Sequence, residues 1–61
     1  MSATDKQLAG NQRRTLRAMR ERLLRMADEW EELDEYARTQ LTELADKAEE
    51  VAIAITPEDQ P

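Results

Sequence analysis

The stretch Asp28-Glu29-Trp30-Glu31-Glu32-Leu33-Asp34-Glu35 lies at the middle of a 61-residue chain, and its reading decides the fold. It holds neither glycine nor proline, and its glutamates and leucine are good helix formers, so one helix can run straight through it. It also carries helix-start signals. Asp28 with Glu31 three residues later has the form of a capping box, and Asp34 can cap a second helix. The same eight residues therefore suit the middle of one long helix or the turn of a hairpin.

Outward from this stretch the pattern is regular. Between Gln12 and Ile55 there is no glycine or proline. Apolar side chains recur at Leu16, Met19, Leu23, Met26, Trp30, Leu33, Ala37, Leu41, Leu44, Ala48, Val51 and Ile55, in steps of three and four. Alternating threes and fours are the heptad signal of a coiled coil, and the doubled four around Ala37 is a stutter that resets the phase. At 100° per residue the stripe stays within an arc of about 100°. A loop would be under no pressure to preserve that phase. The stripe thus favours one amphipathic helix over about 12–55, roughly 66 Å long, in an antiparallel coiled-coil dimer or small bundle. The alternative all-α fold is a helical hairpin with a turn near 28–34 that dimerises into a four-helix bundle. A break there suits the helix dipole, with Arg20, Arg22 and Arg25 near one C-terminus and Asp34 and Glu35 at the next N-terminus.

Three segments are expected. Residues 1–11 read as a flexible lead-in, because Gly10 interrupts and Asn11 is a good N-cap for a helix starting at Gln12. Residues 12–55 form the helical association domain. Thr56-Pro57 stops the helix, since a residue before proline is pushed off helical angles, and 56–61 is a polar tail. Val51-Ala52-Ile53-Ala54-Ile55 alternates as a strand would, but it has no strand to pair with, so a last helical turn is expected.

The formal net charge of −5 is unevenly spread. Residues 1–26 carry seven basic and two acidic side chains, and residues 27–61 carry two basic and twelve acidic ones. Antiparallel pairing sets the basic half on the acidic half. Centred on the stripe, a dimer would place Arg22 near Glu49, Arg25 near Asp46 and Arg20 near Glu50. Each exposed pair contributes only a few tenths of a kcal/mol, roughly, yet together they choose an orientation because the reverse one carries the matching repulsions.

Composition excludes several classes of chemistry. There is no cysteine and no histidine, so disulfides, thiolate sites and the commonest general base are missing. The threonines and Ser2 have nothing to activate them, and a thin helix pair forms no catalytic pocket. No enzyme activity, cofactor or metal site is expected. The longest apolar run, Val51 to Ile55, is too short to span a bilayer, and the polar N-terminus lacks the apolar core of a signal peptide. A cytoplasmic protein with no membrane association is the expectation.

A helix of this length cannot bury its own stripe, and a two-helix hairpin leaves a marginal core. The stripe is accordingly read as an oligomer interface, with a homodimer favoured and a protein partner as another occupant. Trp30 is read as an anchor on the seam and Tyr36 as the better external contact. The sharpest polar feature is the arginine cluster of Arg13, Arg14, Arg17, Arg20, Arg22 and Arg25, in which Arg13, Arg17 and Arg20 share one face and Arg14 and Arg25 lie about 100° round from them. Such a face can grip nucleic-acid phosphates, or it can pair with the acidic half of the chain.

Two local resemblances bear on this. Glu32-Leu33-Asp34 and Leu44-Ala45-Asp46, in a small acidic helical chain, resemble repressor-of-primer-type helical dimers. That resemblance implies a dimer of helical hairpins that binds paired RNA loops through the first helix, near Arg13, Arg17 and Arg20. Met1-Ser2-Ala3-Thr4 ahead of an arginine-rich helix resembles polyketide-synthase docking segments, which pair enzyme subunits through coiled coils. The expected function is a non-enzymatic protein–protein interaction module, structural or regulatory, acting by helix docking and self-association. The alternative is a small RNA-binding regulator using the Arg13 to Arg25 face.

Overall fold

The computed structural model describes residues 3–55. The expected stop at Thr56-Pro57 and the polar tail lie outside the described residues, as do Met1 and Ser2. The chain forms two helices, α1 (Ala3–Asp28) and α2 (Glu35–Ala54), packed against each other as a hairpin. The continuous helix favoured by the stripe is therefore overturned in favour of a two-helix hairpin with its turn near 28–34. The long axis measures 47 Å, well short of the ~66 Å that an unbroken helix over 12–55 requires.

The break falls within Asp28 to Glu35, a stretch with no glycine or proline. A straight helix would stack Asp28, Glu31, Glu32 and Glu35 at three- and four-residue spacings, where like charges repel. It would also deny the acidic run the favourable N-terminal position that Asp34 and Glu35 now hold. Instead α1 tightens as it ends. Successive amide N–H groups of Glu29, Trp30 and Glu31 donate to the carbonyls of Met26, Ala27 and Asp28 at 3.1, 3.0 and 3.2 Å, the i→i+3 pattern of a closing turn. The Trp30 carbonyl then accepts from both Leu33 and Asp34, at 2.9 and 3.0 Å. Asp34 leaves the helical region (φ −156°, ψ 106°), and its carboxylate accepts from the Tyr36 and Ala37 amides at 2.9 and 3.3 Å. Asp34 is thus the working cap, as its sequence position allows. Asp28 starts nothing; it is the last residue of α1.

Gly10 does not interrupt α1, which begins at Ala3 and takes in residues 3–11 that the sequence sets apart as a lead-in. One glycine costs a helix about 1 kcal/mol, and neighbours such as Leu8, Ala9, Gln12 and Arg13 favour helix on both sides. Asn11 correspondingly does not cap. Its side-chain carbonyl oxygen accepts from Arg14, and its main-chain carbonyl accepts from the Thr15 hydroxyl at 3.1 Å. At the other end, α2 runs to Ala54, and the Ile55 amide donates to the Val51 carbonyl at 3.0 Å. The alternating segment is a final helical turn, not a strand.

The helices meet on small residues. Ala45 and Ala52, one heptad apart on α2, are fully buried, and Ala27 of α1 nearly so. Alanines let two helix backbones approach closely, but they remove little apolar surface from water. Among the described residues these three alanines are the buried hydrophobic core, and no large side chain is fully buried.

Candidate helix-docking groove

None of the twelve residues of the apolar stripe is buried within the hairpin. Leu16, Leu23, Ala37, Leu41, Ala48, Val51 and Ile55 are half-buried, whereas Met19, Met26, Trp30, Leu33 and Leu44 are exposed. The reason is rotational. At 3.6 residues per turn, Ala27 lies roughly 60° round α1 from the centre of its stripe, and Ala45 and Ala52 lie roughly 70° round α2 from the centre of theirs. The rotation has the same sense in both helices. Because the helices run in opposite directions, equal rotations swing both stripes to the same side of the hairpin.

The result is an apolar groove along that side, with a volume of about 440 Å³. Leu16, Met19, Leu23 and Met26 line it from α1, and Leu44, Ala48 and Val51 from α2. A smaller continuation lies towards the chain ends, where Gln12, Thr15 and Ile55 join Leu16, Met19 and Val51. Met19 retains 51% and Leu44 53% of their full accessibility, large values for apolar side chains in contact with a second helix. Arg22 and Lys47 stand at the two edges of the groove. Lys47 is tied to Glu50 on its own helix at 3.3 Å. Trp30, Leu33 and Tyr36 cluster in sequence around the turn, at 40, 78 and 72% exposure. Trp30 is not buried within the single hairpin.

The arginine face sits on a different side. Arg13 and Arg20 are half-buried, and Arg17 reaches across to Glu49, its Nε and Nη2 donating to Oε1 and Oε2 at 3.4 Å each. Arg13 Nη1 is shut off from solvent with no acceptor. Of the three, Arg17 is the one tied to α2, through Glu49. The pairing of basic and acidic halves is present, but inside one chain and in a different register. Arg17 meets Glu49, where the stripe-centred dimer puts Arg22. The turn at 29–34, not the midpoint of the stripe, sets the alignment. Arg38 pairs locally with Glu35 at 3.7 Å.

Among the described residues no cluster of acidic side chains is placed to hold a metal ion, and no helix is long and apolar enough to cross a membrane. No protein-family model, no curated protein and no solved structure matches this chain. The groove is consequently the feature of the molecule on which a functional reading rests.

The apolar periodicity identifies the residues of the groove but not the groove itself. Within the hairpin the contact between the helices is made by alanines, and the stripe lies on the open flank. The signal that points to the true seam is the pair of alanines at 45 and 52, which repeats at heptad spacing beside the larger apolar residues.

Proposed function

We propose that this protein is a non-enzymatic association module that docks helix on helix through the groove, with self-association as its basic act. The observation that carries this reading is the exposure of Met19, Met26 and Leu44 along one continuous apolar channel, in a hairpin whose buried core consists of alanines. Covering a large aliphatic side chain completely contributes about 1.5–3 kcal/mol, and a chain of this size has little other apolar area to draw on. Docking a second pair of helices supplies the missing layer and gives a four-helix bundle in which the stripe becomes the core. The basic face has a weaker claim as a nucleic-acid site, because Arg13 and Arg20 are half-buried and Arg17 already has a carboxylate partner on α2.

The test is solution mass by light scattering together with thermal melting at several protein concentrations. Association predicts a dimer mass and a melting temperature that rises with concentration. A monomer mass with a concentration-independent melt would sink the reading.

A further inference from the structure

Given that self-association reading, the charges at the edges of the groove also fix how the second copy sits. We propose that the occupant is a second hairpin seated face to face with its turn at the same end, so that α1 of each copy lies over α2 of the other.

Two two-fold arrangements close the groove. In the same-end arrangement each α1 covers the partner's α2. In the head-to-tail arrangement α1 covers α1, α2 covers α2, and the turns lie at opposite ends. Both keep neighbouring helices antiparallel, so helix dipoles do not separate them. Charge does. α1 carries seven basic and three acidic side chains, a net of +4, whereas α2 carries two basic and five acidic, a net of −3. The same-end bundle alternates these signs around its circumference, and the head-to-tail bundle sets like on like.

The rim residues sharpen the choice. Within the hairpin, Arg17 stands level with Glu49, so Arg22 stands level with Leu44. A same-end partner preserves those levels and brings Arg22 beside the partner's Glu43, twice per dimer. Arg22 and Glu43 are both exposed in the single hairpin, so each is available for such a pair. A head-to-tail partner centred on the groove instead brings Arg22 near the partner's Arg22 and Lys47 near the partner's Lys47. Like-charge juxtaposition of this kind selects against an orientation. Two terms oppose this. Lys47 stands one turn from Glu43 on the same rim and so also comes near the partner's Arg22. At the turn, Glu29, Glu31, Glu32 and Asp34 of both copies share one end of the same-end bundle. All four are exposed, and salt screens exposed charges beyond roughly 10 Å at 0.1 M. The rim pairs lie closer together than that, against the apolar groove.

The native chain has no cysteine, so a single Glu31→Cys substitution takes one nitroxide label per chain. In the dimer, the same-end arrangement predicts an inter-label distance within about 25 Å, the width of two helix layers with their side chains. Head-to-tail seating predicts a distance approaching the 47 Å length of the hairpin. A label at Gln7→Cys, near the open end, should likewise report a short distance. A dimer with long distances at both sites would overturn the orientation and leave self-association standing. A monomer at every concentration would overturn both, leaving the groove to another protein's helix. Charge exchange is the second arm. Arg22→Glu should weaken the dimer about fivefold or more, and adding Glu43→Arg should restore it. Failure of the double variant to recover would count against the proposed pair. Neutralising the turn with Glu31→Gln and Glu32→Gln should tighten a same-end dimer; weakening would contradict the arrangement.

Discussion

The two long sides of this hairpin follow opposite designs. Where α1 meets α2, the contact is made by Ala27, Ala45 and Ala52, small residues that are buried but bring little apolar area with them. On the open side, Leu16, Met19, Leu23, Met26, Leu44 and Val51 offer much apolar area and bury only part of it. Close approach is thus settled within the chain, while most of the hydrophobic driving force is left unused on its flank. A side that is tightly packed tolerates no added volume. A side that is open tolerates change until something covers it.

That contrast can be broken by substitutions at adjacent positions. Leu44→Asp puts a charge on the open side, where Leu44 is 53% exposed, so the lone hairpin loses little. In a two-fold dimer the same carboxylate is buried twice, without a partner, and association should weaken by at least two orders of magnitude, on the order of 3 kcal/mol or more. Sedimentation equilibrium of the variant beside the wild type measures this directly. An unchanged dimer would mean that the groove is not the interface. Ala45→Leu places its bulk on the closed side, where Ala45 is fully buried. Overpacking of this kind costs about 1–3 kcal/mol and should lower the melting temperature by roughly 4–8 °C per kcal/mol in a domain of this size. If Ala45→Leu were neutral and Leu44→Asp damaged the monomer, the assignment of the two sides would be reversed.

The comparison also explains what is legible in the sequence. Helicity is plain, because the three-and-four spacing spans most of the chain and the single glycine, Gly10, is too weak a breaker to matter. Asp34 is readable as a cap, since a carboxylate two and three residues ahead of free amides satisfies a need that every helix start has. The turn itself is obscure. It contains no glycine or proline, and the like charges of Asp28, Glu31, Glu32 and Glu35 would weaken a straight helix there by only a few tenths of a kcal/mol per pair, roughly, too weak a signal to read as a break. The unbroken phase of the stripe points towards one straight helix, yet the hairpin uses that same regularity to bring two stripes out on one flank. The buried side of each helix is chosen by alanines, and an apolar-stripe reading gives alanines beside leucines and methionines little weight.

The turn offers the next test. Asp34→Ala removes the acceptor for the Tyr36 and Ala37 amides, and it should cost about 1 kcal/mol, the usual value of an N-cap. Asp34→Asn or Asp34→Ser keeps an acceptor and should recover most of the loss in a chemical denaturation series. If Ala and Asn behaved alike, the cap would be dispensable and the turn would be held by the main-chain bonds to the Trp30 carbonyl.

The smallest effects separate two arginines on the closed side. Arg17 and Glu49 are 51 and 35% exposed at their side chains, so solvent screens the pair and Arg17→Ala should cost only a few tenths of a kcal/mol, roughly. Arg13 differs in kind. Its Nη1 is cut off from solvent without an acceptor, so the guanidinium loses hydration there and gains no hydrogen bond from that nitrogen. Arg13→Met keeps much of the aliphatic stem and removes the orphaned donor. It should leave stability unchanged or raise it by up to about 1 kcal/mol. Denaturant midpoints of the two variants, taken at one protein concentration so that association does not intrude, give the comparison. If Arg13→Met were the more destabilising, Arg13 would have to hold a partner through its other nitrogens, and the basic face would be tied to α2 by more than the Arg17–Glu49 bridge.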